Sequence, residues 1–111
     1  MLSVTNMTSE KTGRAIANQF LITDGDVVMF QSYDSPIVEI DYKSNTIRVY
    51  QDWDYSRTTA KYRNQFMREQ GFHGLATRDG FVECLNNGYC KSRMYGVYGW
   101  VEVYWSIIRM W

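Results

Sequence analysis

Asp52 and Asp54 stand two residues apart in the run Asp52-Trp53-Asp54-Tyr55-Ser56, and on an extended backbone their carboxylates would point the same way. Converging oxygens can hold a divalent cation or act as an acid and base pair. A hard-cation site recruits further oxygens, however, and no third acid lies close in sequence. The competing reading has Asp54 and Ser56 satisfying free amides at a helix start, with Trp53 and Tyr55 packing its approach. His73 is the single histidine and follows Gly71 and Phe72 in an expected loop. No elbow motif surrounds any Ser or Cys that would give it a nucleophile to activate. Cys84, Cys90 and His73 together fall short of the four ligands a structural zinc site takes. Gly96 and Gly99 read as turn residues between aromatic strands, not as a loop that cradles phosphate. The expectation is therefore a protein with no catalytic residues, no metal and no cofactor, and with two unpaired thiols.

Two surface features remain that could recognise a partner. Arg57, Lys61, Asn64 and Arg68 fall within about 60° on a helical wheel, opposite Phe66. Such a ridge could meet phosphates or an acidic protein, or could simply be a solvated helix face. The second feature is the aromatic tail, where Tyr89, Tyr95, Tyr98, Trp100, Tyr104, Trp105 and Trp111 crowd the last quarter of the chain. Because a strand sends neighbours to opposite faces, Val103, Trp105 and Ile107 cannot share a face with Tyr104, Ile108 and Met110. Either this strand is covered on both sides, or one face meets another protein or a second copy. The protein-binding residues expected on this basis are Tyr95, Tyr98, Trp100, Tyr104, Trp105 and Trp111.

The chain that must position these residues has 111 of them, 45% hydrophobic and 16% aromatic, enough to build one domain with a real core. Twelve basic and twelve acidic residues give a net charge of zero, so no global field draws it to nucleic acid or an anionic membrane. The charge is nevertheless uneven. Seven acids against two bases lie between Asp24 and Asp54, and seven bases against three acids between Arg57 and Arg93. No apolar run approaches the roughly 18 residues of a membrane span, and the opening residues carry no leader pattern, which points to the cytoplasm. Residues 1–12 are polar and read as loosely held, with order starting near Ala15. Asn18 to Ile22 and Val27 to Tyr33, joined by Asp24-Gly25, predict one hairpin; Ile37 to Tyr42 and Thr46 to Tyr50 predict a second. Ser56 caps a helix running to Gly71 whose core stripe is Thr59, Tyr62 and Phe66. A second helix is predicted from Thr77 to Asn87, with Gly80 weakening it by about 1 kcal/mol, and strands at Tyr95 to Tyr98 and Val101 to Trp111 finish the chain. The fold class expected is α+β, a small antiparallel sheet with one or two helices packed on one face.

Asn18-Gln19-Phe20, the run FQSYDS at 30–35 and DWDYSRTTAKYRNQF at 52–66 together resemble a family of small uncharacterised proteins carried by bacteriophages and mobile elements. The match spans about Thr8 to Phe66. Gln31, Ser32, Asp34, Asp52, Asp54, Arg57, Thr58, Thr59 and Lys61 belong to the shared pattern, without an assigned role. The resemblance implies a setting in the cytoplasm of an infected bacterium, where proteins of this size act by binding and blocking, anti-CRISPR and other anti-defence proteins included. The function expected is inhibition of a host or defence protein, such as a nuclease complex, through the aromatic tail and with the acidic hairpins as a DNA mimic. Two alternatives stand beside it: a nucleic-acid-binding accessory protein using Arg57, Lys61 and Arg68, and a small nucleotide- or metal-binding protein using Asp52 and Asp54.

Overall fold

A computed structural model describes residues 1–111, in which seven strands form one sheet in the order β1-β2-β3-β4-β5-β7-β6. The strands are β1 (Leu2–Thr8), β2 (Ala15–Asp24), β3 (Val27–Ser32), β4 (Ser35–Asp41), β5 (Thr46–Val49), β6 (Tyr89–Gly96) and β7 (Gly99–Arg109). Helices α1 (Arg57–Glu69) and α2 (Arg78–Asn87), with a short 3₁₀ turn at His73–Leu75 between them, fill the connection from β5 to β6.

Turn chemistry sets the first five strands in a meander. Gly25 takes a positive φ of 60° at the β2–β3 turn, a conformation that costs glycine nothing, and Asp24 faces Val27 across it. At the β4–β5 turn the Asp41 carboxylate accepts from the backbone N–H groups of Lys43 and Ser44, an Asx arrangement that folds the chain back. Both expected hairpins are present. A register shift after Phe30 inserts an extra residue into β4, so that neighbours Ile37 and Val38 are both fully buried against the usual alternation.

Two expectations about the sheet are corrected. Regular structure begins at Leu2, not near Ala15: β1 pairs with β2 from Leu2 opposite Asp24 to Thr8 opposite Ala15, and Met7 reaches the core. The backbone of this polar stretch is satisfied by its neighbour strand, which composition does not reveal. The sheet is also mixed, because β7 lies parallel to β5, with Ile47 beside Ile107. The helical connection that leaves β5 brings the chain back to the same edge of the sheet, and the outermost β6–β7 hairpin is attached through that one parallel pair.

Both helices lie on one face. The Ser56 hydroxyl caps α1 by accepting from the Thr59 N–H at 3.1 Å, and Thr77 does the same for α2 through Gly80. Gly88 closes α2 in the left-handed conformation. Thr59 and Phe66 of the expected stripe are buried, Tyr62 is half-buried, and Arg63, Gln65 and Met67 are buried with them. Phe66 stacks on Phe30 at 5.9 Å and Phe72 meets Trp105 edge-on at 4.9 Å, so two aromatic pairs fasten the helical layer to the strands, while Phe81 stacks on Trp53 of the β5–α1 connection at 5.2 Å.

Candidate functional site

The β6–β7 hairpin carries six of the chain's eighteen aromatic residues, and period-two alternation sorts them. Cys90, Ser92 and Met94 of β6 and Val103, Trp105 and Ile107 of β7 face the helices. Tyr89, Lys91, Arg93 and Tyr95, with Trp100, Glu102, Tyr104 and Ile108, face away. No helix covers that second face. The rings on it stay exposed: Tyr104 at 57%, Trp100 at 61% and Tyr95 at 74%, with Tyr98 fully in solvent at the turn between Gly96 and Gly99.

Side-chain contacts give this surface a definite shape. Tyr95 meets Trp100 edge-on with ring centres 5.3 Å apart, and Tyr89 lies 6.3 Å from Tyr104. Lys91 Nζ sits 5.4 Å from the Tyr104 ring centre and the Arg93 guanidinium 5.3 Å from that of Trp100. The result is a ladder of alternating rings and cations along two strands. Glu102 is the cross-strand neighbour of Arg93, yet neither Arg93 nor Lys91 forms an ion pair. The Lys91 ammonium is held above its ordinary pKa, first by the Tyr104 hydroxyl beside it and then by Glu102, so it is charged throughout the physiological range. Tyr89, Lys91 and Arg93 are members that the sequence reading did not place in the site. Starting the strand at Tyr89 in place of Tyr95 would have aligned all three with Tyr95 by alternation alone.

One expected member is elsewhere. Trp105 is 2% exposed, its Nε1–H donates to Ser92 Oγ at 2.9 Å, and its ring packs against Phe72 and Tyr42. It belongs to the core because it shares its face with Ile107 and the helices. Trp111 lies beyond the end of β7, half exposed, with Arg109 over its ring.

The other candidates are dispersed. Asp52 accepts a hydrogen bond from Ser35 at 2.9 Å, whereas Asp54 is held by Arg63 and Arg78, so the two carboxylates do not converge. Burial alone would raise the Asp54 pKa, but hydrogen bonds from Arg78 and Arg63 bring it below the usual range. Nowhere do three or more His, Cys, Asp or Glu side chains gather as a metal site would require. Along α1, Arg68 pairs with Glu10, Lys61 lies over Tyr62, and Arg57 is exposed. The ridge is thus one ion-paired cation, Arg68, and two with no ion-pair partner. In the acid-rich hairpins, Arg48 bridges Glu39 and Asp41 on the open face. His73 is exposed, and Cys84 and Cys90 are free thiols.

Two hollows flank β6. One of about 600 Å³ is lined by Gly71 to Leu75, Lys91 to Arg93 and Trp100; the other, about 240 Å³, shares Gly71, Phe72, Ser92 and Arg93 and continues to Met94 and Tyr42.

A model for a family of unknown function (DUF8033) matches residues 2–83, from β1 into α2. The exposed β6–β7 hairpin lies outside that span. No curated protein and no solved structure matches the sequence.

Proposed function

The chain belongs to the DUF8033 family of unknown function, and from its own surface we propose that it is a non-enzymatic binding protein that docks a partner protein on the open face of the β6–β7 hairpin. One observation carries this reading: Tyr95, Trp100 and Tyr104 stand more than half exposed, interleaved with Lys91 and Arg93, on a sheet face that no helix covers. Exposed rings of this size contribute little to the isolated fold. Tyr, Trp and Arg are the residues enriched at the energetic centre of protein interfaces, where burying a ring and stripping water from a nearby cation add together. The hairpin's position beyond the family-matched span fits a shared scaffold that carries its own recognition element.

The resemblance to small bacteriophage and mobile-element proteins supplies the class of partner: a host protein of the bacterial cytoplasm, a defence nuclease complex among them, blocked by occlusion. A second reading, single-stranded nucleic acid, is favoured by the same alternation of rings and cations, because bases stack on such platforms. The two separate by experiment. The immobilised chain is expected to retain a defined protein from bacterial lysate, to lose it with Trp100→Ala or Tyr104→Ala, and to keep it with Arg57→Ala. A folded chain that retains nothing, or one that instead binds oligothymidylate with a steep salt dependence, counts against the protein-binding reading.

A further inference from the structure

β6 ends the sheet, with β7 on one side and no strand on the other. Ile107 N–H donates to Gly88 C=O, so the two-residue period of an antiparallel ladder turns the backbone groups of Cys90, Ser92 and Met94 toward β7. Those of Tyr89, Lys91, Arg93 and Tyr95 point outward, where only solvent meets them. This is a strand's length of unused donors and acceptors. Edges of this kind are usually shortened, bulged or covered, because they template another strand. The β6 ladder to β7 runs from Tyr89 to Gly96 without a register shift, whereas β1 at the opposite edge is broken by one near Asn6.

The flanking hollows give the edge depth. Ser92 points toward the helices while Lys91 and Arg93 point away, and a hollow that touches all three opens along the strand's edge. Its far wall, Gly71 to Leu75, stands off from β6 and leaves about 600 Å³ beside it. An added strand would run about 4.8 Å from β6, with alternate side chains entering this hollow against Phe72 and the others lying beside the aromatic ladder.

Charge decides which strand is admitted. On the ladder face the residues next to an added strand are Lys91 and Arg93, two cations with no ion-pair partner. A second copy of β6 would lay its own Lys91 and Arg93 against them, and like charges directly opposed across strands are destabilising. We infer that β6 accepts, as an eighth strand, an extended segment of a partner protein that alternates acidic residues, facing Lys91 and Arg93, with apolar residues that enter the hollow against Phe72. This rests on the protein-binding reading and specifies how the partner is held: main-chain bonds give affinity and alternate side chains give selection.

The test uses the full chain and two ten-residue peptides, one alternating Glu with Val and one alternating Lys with Val, each carrying a fluorescent label. The Glu peptide is expected to bind at least tenfold more tightly than the Lys peptide, and the Lys91→Glu, Arg93→Glu double variant to reverse that order. Arg93→Pro removes an outward N–H but no bond to β7, so it is expected to weaken the Glu peptide at least tenfold relative to Arg93→Ala, which loses the charge alone. If Arg93→Pro fails to fold, amide exchange on the unaltered chain decides: the Lys91, Arg93 and Tyr95 amides slow when the Glu peptide is added. Equal affinity for both peptides, Arg93→Pro no worse than Arg93→Ala, or unprotected outward amides would overturn the inference. So would self-association through β6 or oligothymidylate binding in place of the peptide. A lysate partner lost with Trp100→Ala but unaffected by Arg93→Pro would leave the binding reading standing and remove the strand-addition inference alone.

Discussion

Tyr104 and Trp105 are neighbours in β7 that face opposite ways, Tyr104 57% exposed on the open face and Trp105 2% exposed beneath the helices. The same strand therefore supplies the core with its largest buried side chain and the open face with an exposed ring. Substitutions one residue apart act on different links of the chain from sequence to function.

Trp105→Ala removes the edge-on contacts with Phe72 and Tyr42 and the hydrogen bond to Ser92, leaving a cavity under the hairpin. Its expected cost is about 3–5 kcal/mol. Tyr104→Ala, whose ring mostly meets water, is expected to cost less than about 1 kcal/mol while abolishing partner retention. Urea unfolding of both variants checks this, and comparable losses of stability would contradict the assignment of faces.

Gly80 sits in the first turn of α2, where helix propensity alone favours alanine by about 1 kcal/mol. A Cβ at this position would stand 2.0 Å from the Gly74 carbonyl oxygen, a backbone atom with no rotamer to move. Gly80→Ala is therefore expected to destabilise by about 1–3 kcal/mol, the usual range for overpacking. A rise in melting temperature would show that the 3₁₀ turn yields freely.

What the sequence made legible follows from which signals are local. The Ser56 and Thr77 caps, the Gly88 stop and the Asp24-Gly25 turn each depend on residues within four positions, and each is present as expected. The β1 strand was not legible, because Leu2–Thr8 has little hydrophobic alternation and is held by main-chain bonds to β2. Nor was the parallel pairing of β7 with β5, a contact between residues about sixty apart that no short window contains. The site was half legible. Alternation around Trp105 separated the two faces, but which one the helices cover depends on the handedness of the long connection. The lone reading of Gly80 as a weak helix residue missed its cause, the close approach of Gly74.

Cys84 and Cys90 are free and poorly ionised. Burial, followed by the Glu83 charge, raises the Cys84 thiol, and burial, followed by Cys84, pushes Cys90 up to about 12. The thiolate is the reactive form, and at pH 8 a thiol with that pKa is ionised only to about one part in ten thousand. Iodoacetamide at pH 8 is expected to label the native chain at least tenfold more slowly than the chain unfolded in guanidinium. Rapid labelling of Cys90 in the native state would show that the β6–β7 hairpin opens from the core.

Arg63 carries the one fully buried charge on α1, its guanidinium lying 5.3 Å from the Trp53 ring centre and 5.0 Å from that of Phe81. Nη1 donates to the Trp53 carbonyl at 2.7 Å and to Asp54 at 3.1 Å, while Nε has no partner. Asp54 also accepts from Arg78 at 2.8 Å, so a single carboxylate joins the middle of α1 to the start of α2. Removing it strands a buried cation, and Asp54→Ala is expected to cost about 3–5 kcal/mol. Arg63→Met keeps apolar volume between the two rings and leaves Asp54 paired with Arg78, so it is expected to cost less. The pH dependence has a definite sign. The folded-state pKa of Asp54 lies below its ordinary 3.8, so its stabilisation is present above that value and is lost as pH falls through the lower folded value. Unfolding free energies measured between pH 6 and pH 2 are expected to decline less steeply for Asp54→Asn than for the unaltered chain. Parallel curves would mean that the carboxylate bridging the two helices contributes nothing through its charge.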